Sequence, residues 1–193
     1  MKKSILIMMT CGFILSFPYV AQSQEPTPRF EIGGHYAFLD FAEGVGFHVG
    51  ASGVGARFTY NLDKYVASEA EVDYFQDRIF GFSDFGRKTL VVFGVKAGFR
   101  KKRFGVFGKA RPGFIHFNKA PGTVCPLTMG FQGIPCPVAA KTDFAMDFGG
   151  VFEYYASRKV AIRFDAGDTI IRHQRIFGTT HQFQSTAGVV FRF

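Results

Sequence analysis

The chain has 193 residues, enough for one domain, with 26 phenylalanines, 7 tyrosines, 23 glycines and no tryptophan. Mean hydropathy is only +0.09, which excludes a bundle of membrane-spanning helices. The formal charge is +8, but the cations are dispersed along the chain rather than gathered in one stripe, so the excess suits anionic lipid head groups at least as well as nucleic acid.

Met1-Lys2-Lys3 is a short positive start. An apolar run from Ser4 to Phe17 follows, then Pro18 and the small residues Ala21 and Ser23. This is the plan of a secretory signal peptide over residues 1–23, with cleavage after Ser23 or after Ala21. The run is shorter than the ~20 apolar residues a spanning helix needs. Cys11 lies inside it without the flanking residues of a lipoprotein signal.

Residues 24–193 read as one all-β domain of eight alternating segments. Strand one is predicted over Phe30–Leu39, followed by a glycine-rich loop from Asp40 to Ser52. Strand two covers Gly53–Leu62 and turns tightly at Asp63-Lys64 into strand three, Val66–Phe75. After a loop over 76–88, strand four covers Thr89–Arg100, with Lys101-Lys102 as the next turn. Strand five covers Arg103–Phe117, with a bulge or the strand's outer end expected at Pro112, which cannot donate to a ladder. The longest loop runs from Asn118 to about Lys141. Strand six covers Thr142–Ala156, Ser157-Arg158-Lys159 turns, and strand seven runs from Val160 to about Ile171. Strand eight closes the chain over Gln182–Phe193.

Alternate residues of a strand face opposite sides. In strand eight one side carries Phe183, Ala187, Val189, Phe191 and Phe193, while the other carries Gln182, Gln184, Gly188 and Arg192. The same division recurs in every segment. Nearly all strand charges share the non-aromatic side: Glu31, Glu69, Glu71, Asp73, Asp147, Glu153 and Asp165 against Arg57, Lys96, Arg100, Lys109, Arg111, Arg163 and Arg192. Seven of each sign suit a narrow lumen that pairs its charges internally, because an unpaired buried charge is costly. Asp168 breaks the rule and is expected near the outer rim. Long and short connections alternate, the mark of a transmembrane barrel with short periplasmic turns and longer outer loops. Segments of about ten residues suit tilted strands crossing a bilayer, and closure satisfies every backbone group, as lipid demands. Phe30, Tyr60, Phe99, Phe104, Tyr154 and Phe193 are expected to form an aromatic girdle near the short turns.

On these features the chain resembles the small eight-stranded outer-membrane barrels, the group of the OmpA transmembrane domain and OmpX. Hairpin segments such as Gly53-Val-Gly-Ala-Arg-Phe-Thr-Tyr60 and the terminal Val190-Phe-Arg-Phe193 carry the likeness. The resemblance implies an antiparallel up-and-down barrel in the outer membrane of a Gram-negative-type envelope. It also implies that Ala187, Val189, Phe191 and Phe193 are the strip read by the barrel-assembly machinery. No counterpart of the peptidoglycan-binding domain that follows the barrel in full-length OmpA is expected after strand eight.

Candidate chemistry is sparse. Cys125 and Cys136 sit in the longest loop among four prolines, and an oxidising compartment favours a disulfide between them. Leu127, Met129, Phe131 and Ile134 make that loop a candidate contact surface. The histidines at 35, 48, 116, 173 and 181 are scattered, with His173 and His181 flanking the last loop. No spacing marks a metal site or a nucleophile coupled to a histidine, so neither a cofactor nor a catalytic residue is expected. The acidic trio Glu69, Glu71 and Asp73 is expected to pair with lumen arginines rather than to perform acid–base work. The reading is a monomeric scaffold with a plugged lumen, in contact with outer-membrane lipids and displaying loops to an extracellular ligand. A small-solute or ion pore is the alternative, and a lipid A-modifying enzyme a third.

Overall fold

A computed structural model of the chain describes residues 27–43, 47–76, 86–118, 140–173 and 178–193. The signal peptide, His48, Cys125, Cys136 and the apolar residues of the longest loop lie outside the residues or side chains described.

Eight strands form one closed antiparallel barrel in the order β1 to β8, each paired with its chain neighbours and β8 with β1. They are β1 Phe30–Glu43, β2 Phe47–Asn61, β3 Val66–Phe75, β4 Lys88–Arg100, β5 Phe104–Phe117, β6 Lys141–Tyr155, β7 Val160–Arg172 and β8 Thr179–Arg192. Closure runs from Glu31 opposite Arg192 to Leu39 opposite Gln184. Beyond it Phe193 N–H donates to Phe30 carbonyl at 2.8 Å. A closed wall leaves no open sheet edge.

Three predicted boundaries are corrected. The loop expected over Asp40–Ser52 is largely strand: the β1–β2 ladder runs on through Asp40 opposite Gly50 to Glu43 opposite Phe47. Its glycines look like loop punctuation, yet Leu39 and Ala51 are already buried inside the barrel and each further pair satisfies backbone groups. The first outer connection therefore shrinks to residues 44–46, and the long–short alternation begins only after it. For the same reason β8 begins at Thr179, three residues earlier than expected. Pro112 makes no bulge. The β4–β5 register is unchanged on either side of it, from Val92 opposite Gly113 to Val95 opposite Ala110, and only the pairing beside Pro112 lapses.

The short turns are built by local chemistry. Asp63 Oδ1 accepts the backbone N–H groups of Tyr65 at 2.6 Å and Val66 at 2.7 Å. Ser157 Oγ does the same for Lys159 and Val160. Both are side-chain-closed turns of the kind Asp and Ser favour. Gly178 enters β8 at φ +61°, a left-handed conformation that glycine adopts without steric cost.

Parity is strict along the wall. Phe30, Ile32, Tyr36, Val54, Phe58, Val72, Phe93, Phe114, Phe152, Phe164, Phe183 and Phe191 all point outward and are exposed. Among the expected girdle residues Phe30, Tyr60, Phe99, Tyr154 and Phe193 are exposed, and Phe104 is half-buried. The opposite parity fills the interior. An apolar exterior around a polar interior inverts the plan of a soluble domain and matches a lipid-facing barrel.

Candidate functional site

The interior has two stories. The lower story, toward the short turns, is an ion-pair network, and the fourteen charges singled out above all point into it. At its floor Glu31 receives Arg100 at 3.2 Å and Arg192 at 3.4 Å, while Arg100 also donates to Asn61 at 2.7 Å. The Arg192 guanidinium lies over the Tyr155 ring at 4.3 Å, and Tyr155 O–H donates to Glu153 at 2.9 Å. Lys96 reaches Glu153 and lies 3.3 Å from Glu69. Phe107, inward and buried, receives both Lys96 and Arg100 over its ring.

At mid-height Arg111 and Arg163 are the two largest fully buried side chains among the described residues. Arg163 grips Glu69 and donates to Asp165 at 2.7 Å. Arg111 donates to Glu71 at 2.7 Å and to Asp147 through two nitrogens. Arg57 bridges Glu71 and Asp165, the latter at 2.8 Å. Lys109 lies 2.9 Å from Asp147 and 3.7 Å from Asp165. Charges are shared among several partners, so the buried ions are compensated as a lattice. Gly55 makes room at its upper end: a Cβ there would collide with Asp73 Oδ1 and His35 Nε2.

Asp73 departs from the expected arginine pairing. Its direct partners are His35 Nε2 at 2.6 Å and Gln184 Nε2 at 2.9 Å. It sits one step higher than Glu71 on β3, at the ceiling of the ionic story, where the arginines no longer reach. His35, Glu71 and Asp73 bring their ligand atoms within 4.8 Å of one another. Arg57 and Arg111 already compensate Glu71, and His35 and Gln184 engage the two oxygens of Asp73, so the cluster is held together by the side chains around it.

The upper story is apolar. Leu39, Phe75, Leu90, Val92, Ile115, Phe117 and Ile171 share the inward parity and are 0–1% exposed. Among them are polar groups: Asp143, fully buried and in register with Ile115, receives Lys141 at 2.8 Å and His173 Nδ1 at 2.7 Å. Lys88 falls in register between Phe75 and Phe117. His35, Lys88, Lys141 and Asp143 are inward as well, although none is among the fourteen charges that the sequence pattern assigns to the lumen. The signal was present, because all share the parity of Glu71 and Arg111 on their strands.

His173 and His181 do not meet. His173 faces inward on Asp143, whereas His181 points outward with its Nδ1 2.6 Å from Asp168. Asp168 faces outward toward the loop end of β7, beside a shallow groove shared with Asp40 and Phe183. His116, also outward, bonds Thr142 at 2.9 Å.

An apolar band outside, a charge-paired interior and a fully closed ladder define a transmembrane β-barrel. The family model described as "Outer membrane protein beta-barrel domain" matches residues 9–193. The chain belongs to this outer-membrane barrel family and resides in the outer membrane. Among solved structures it is similar to Neisserial surface protein A (NspA), with TM-score 0.65 and 11% identity over 88% of this chain and 100% of that one. It is also similar to Ail, the attachment invasion locus protein of Yersinia pestis, with TM-score 0.55 and 14% identity over the same shares. The N-terminal barrel domain of Pseudomonas aeruginosa OprF matches with TM-score 0.53 and 13% identity, over 86% of this chain and 99% of that one. At these identities the likeness is one of fold. No curated protein matches the sequence.

Proposed function

We propose that the barrel is a closed membrane scaffold whose work is surface interaction or envelope integrity, carried by the loops at its outer end. The observation that supports this is the upper story: an apolar layer with Leu39, Phe75, Leu90 and Ile115 fully buried, stacked on a lattice of ion pairs. An eight-stranded interior is just wide enough for side chains to fill it, and here two chemically different fillings lie in series. Ions crossing would have to break the lattice and wet the apolar layer, and apolar constrictions block by dewetting. The names of two fold neighbours, a surface protein and an attachment invasion locus protein, agree with a role at the cell exterior. In planar bilayers the refolded, heat-modifiable barrel is expected to show no steady conductance. A sustained open level would overturn the closed-scaffold reading in favour of a pore.

The outward strip Ala187, Val189, Phe191 and Phe193 is proposed as the surface that the assembly machinery engages. Its members lie on the outward face of β8 and just past its end and are exposed, Phe193 most of all at 69%. Phe193→Ala is expected to reduce the yield of heat-modifiable protein in outer-membrane fractions severalfold while leaving refolding into detergent unchanged. An equal loss in both would mean that Phe193 serves folding itself rather than recognition.

A further inference from the structure

The short-turn end carries a charge pattern that the scaffold does not require. Lys64 stands on the β2–β3 turn, Lys101, Lys102 and Arg103 on the β4–β5 turn, Arg158 and Lys159 on the β6–β7 turn, and Arg29 beside the start of β1. Against these seven cations the same turns hold one acidic side chain, Asp63, whose carboxylate is engaged by the backbone of its own turn. All but Lys64, which is half-buried, are exposed. All seven stand outside the strands whose inward side chains form the lumen lattice. The three turns are distributed around the mouth, so the cations make a collar and not a patch.

Their depth distinguishes the partner. Lys64 Nζ lies 4.7 Å from the centre of the Tyr65 ring and Lys101 Nζ 5.6 Å from that of Phe104. Tyr65 is exposed on the β2–β3 turn, and Phe30, Phe99, Tyr154 and Phe193 are exposed near the same end of the barrel. Aromatic belts sit at the head-group level of a bilayer. Cations laid over such rings are held beside the lipid phosphates rather than pointed away along the barrel axis.

We propose that this collar binds anionic phospholipid head groups, phosphatidylglycerol and its diphosphatidyl relative, in the leaflet that the short turns face. The proposal rests on the membrane-spanning fold and is independent of what the outer loops do. Three turns around one mouth select for lipid charge from all sides, so the barrel recruits an anionic annulus in the periplasmic leaflet.

The test is electron paramagnetic resonance of spin-labelled lipids with the full barrel refolded in phosphatidylcholine vesicles. Folding of every variant is verified by its heat-modifiable band. The expected result is an association constant for labelled phosphatidylglycerol several times that for labelled phosphatidylcholine, falling with added salt. In K101Q/K102Q/R103Q/R158Q/K159Q the ratio should approach one, whereas R87Q/R172Q at the opposite end should keep the wild-type ratio. A wild-type ratio of one overturns the proposal, as does a ratio lost only in R87Q/R172Q. If the collar variant keeps its lipid preference but loses co-sedimentation with purified peptidoglycan that the wild type shows, the partner is the cell wall and the lipid assignment fails.

Discussion

Arg111→Met is expected to destabilise the folded barrel by about 3 kcal/mol, toward the lower end of the range for removing one partner of a buried ion pair. Arg111 is fully buried and donates to both Glu71 and Asp147, with Glu69 at 3.5 Å. Methionine fills a similar volume without the charge, so the loss reads electrostatics more than packing. The cost stays near the lower end because Glu71 keeps Arg57 and Asp147 keeps Lys109 at 2.9 Å. Arg111→Lys keeps a point charge but loses the planar fork that serves two carboxylates at once, and about 1.5–3 kcal/mol is expected for the lost charged hydrogen bonds. Urea unfolding of vesicle-reconstituted barrel, followed by the heat-modifiable band, measures both. Adding Asp147→Leu to Arg111→Met should restore part of the loss, because a neutral apolar pair leaves fewer uncompensated charges than a half-deleted one. If Arg111→Met matches the wild type within about 0.5 kcal/mol, then the surrounding charges rearrange around the gap and the lattice does not depend on its central arginine.

The wall of this barrel was legible because lipid outside and a filled lumen inside impose opposite chemistry on alternate residues. Phe183, Phe191 and Val189 against Gln182, Gln184 and Arg192 state the rule in one strand. A single slip of register would put arginine into lipid, so sequence and register specify each other. What parity cannot carry is height. Glu69, Glu71 and Asp73 look equivalent in sequence, yet the first two hold arginines while Asp73 holds His35 and Gln184. Height depends on strand tilt, and tilt depends on the stagger of all eight pairings at once. The apolar story escaped for the same reason: Leu39, Leu90, Ile115 and Ile171 come from four strands and become one layer only when the barrel closes. The first hairpin shows the opposite limit. Glycines between 40 and 52 invite a loop reading, but the pairing of Glu43 with Phe47 continues the ladder, because local punctuation yields to long-range pairing.

Phe117→Ala tests whether that layer is a seal as well as a core. Phe117 is buried, and its register row runs Phe75, Lys88, Phe117, Lys141 across β3 to β6. Truncation to alanine is expected to cost about 3–5 kcal/mol, as does Phe75→Ala, because the surrounding wall is held by its ladders and collapses little around the void. The functional readout is separate. Either single variant leaves Leu90, Ile115 and Ile171 in place, and no steady conductance is expected. In Phe75→Ala/Phe117→Ala both flanks of Lys88 are removed, the layer gains polar surface and room for water, and brief openings are expected in planar bilayers. Openings confined to the double variant would place the water barrier in the apolar story. A double variant that loses stability yet stays silent would place it in the ion-paired story below, where Arg111, Arg163 and Glu71 then carry the closure alone.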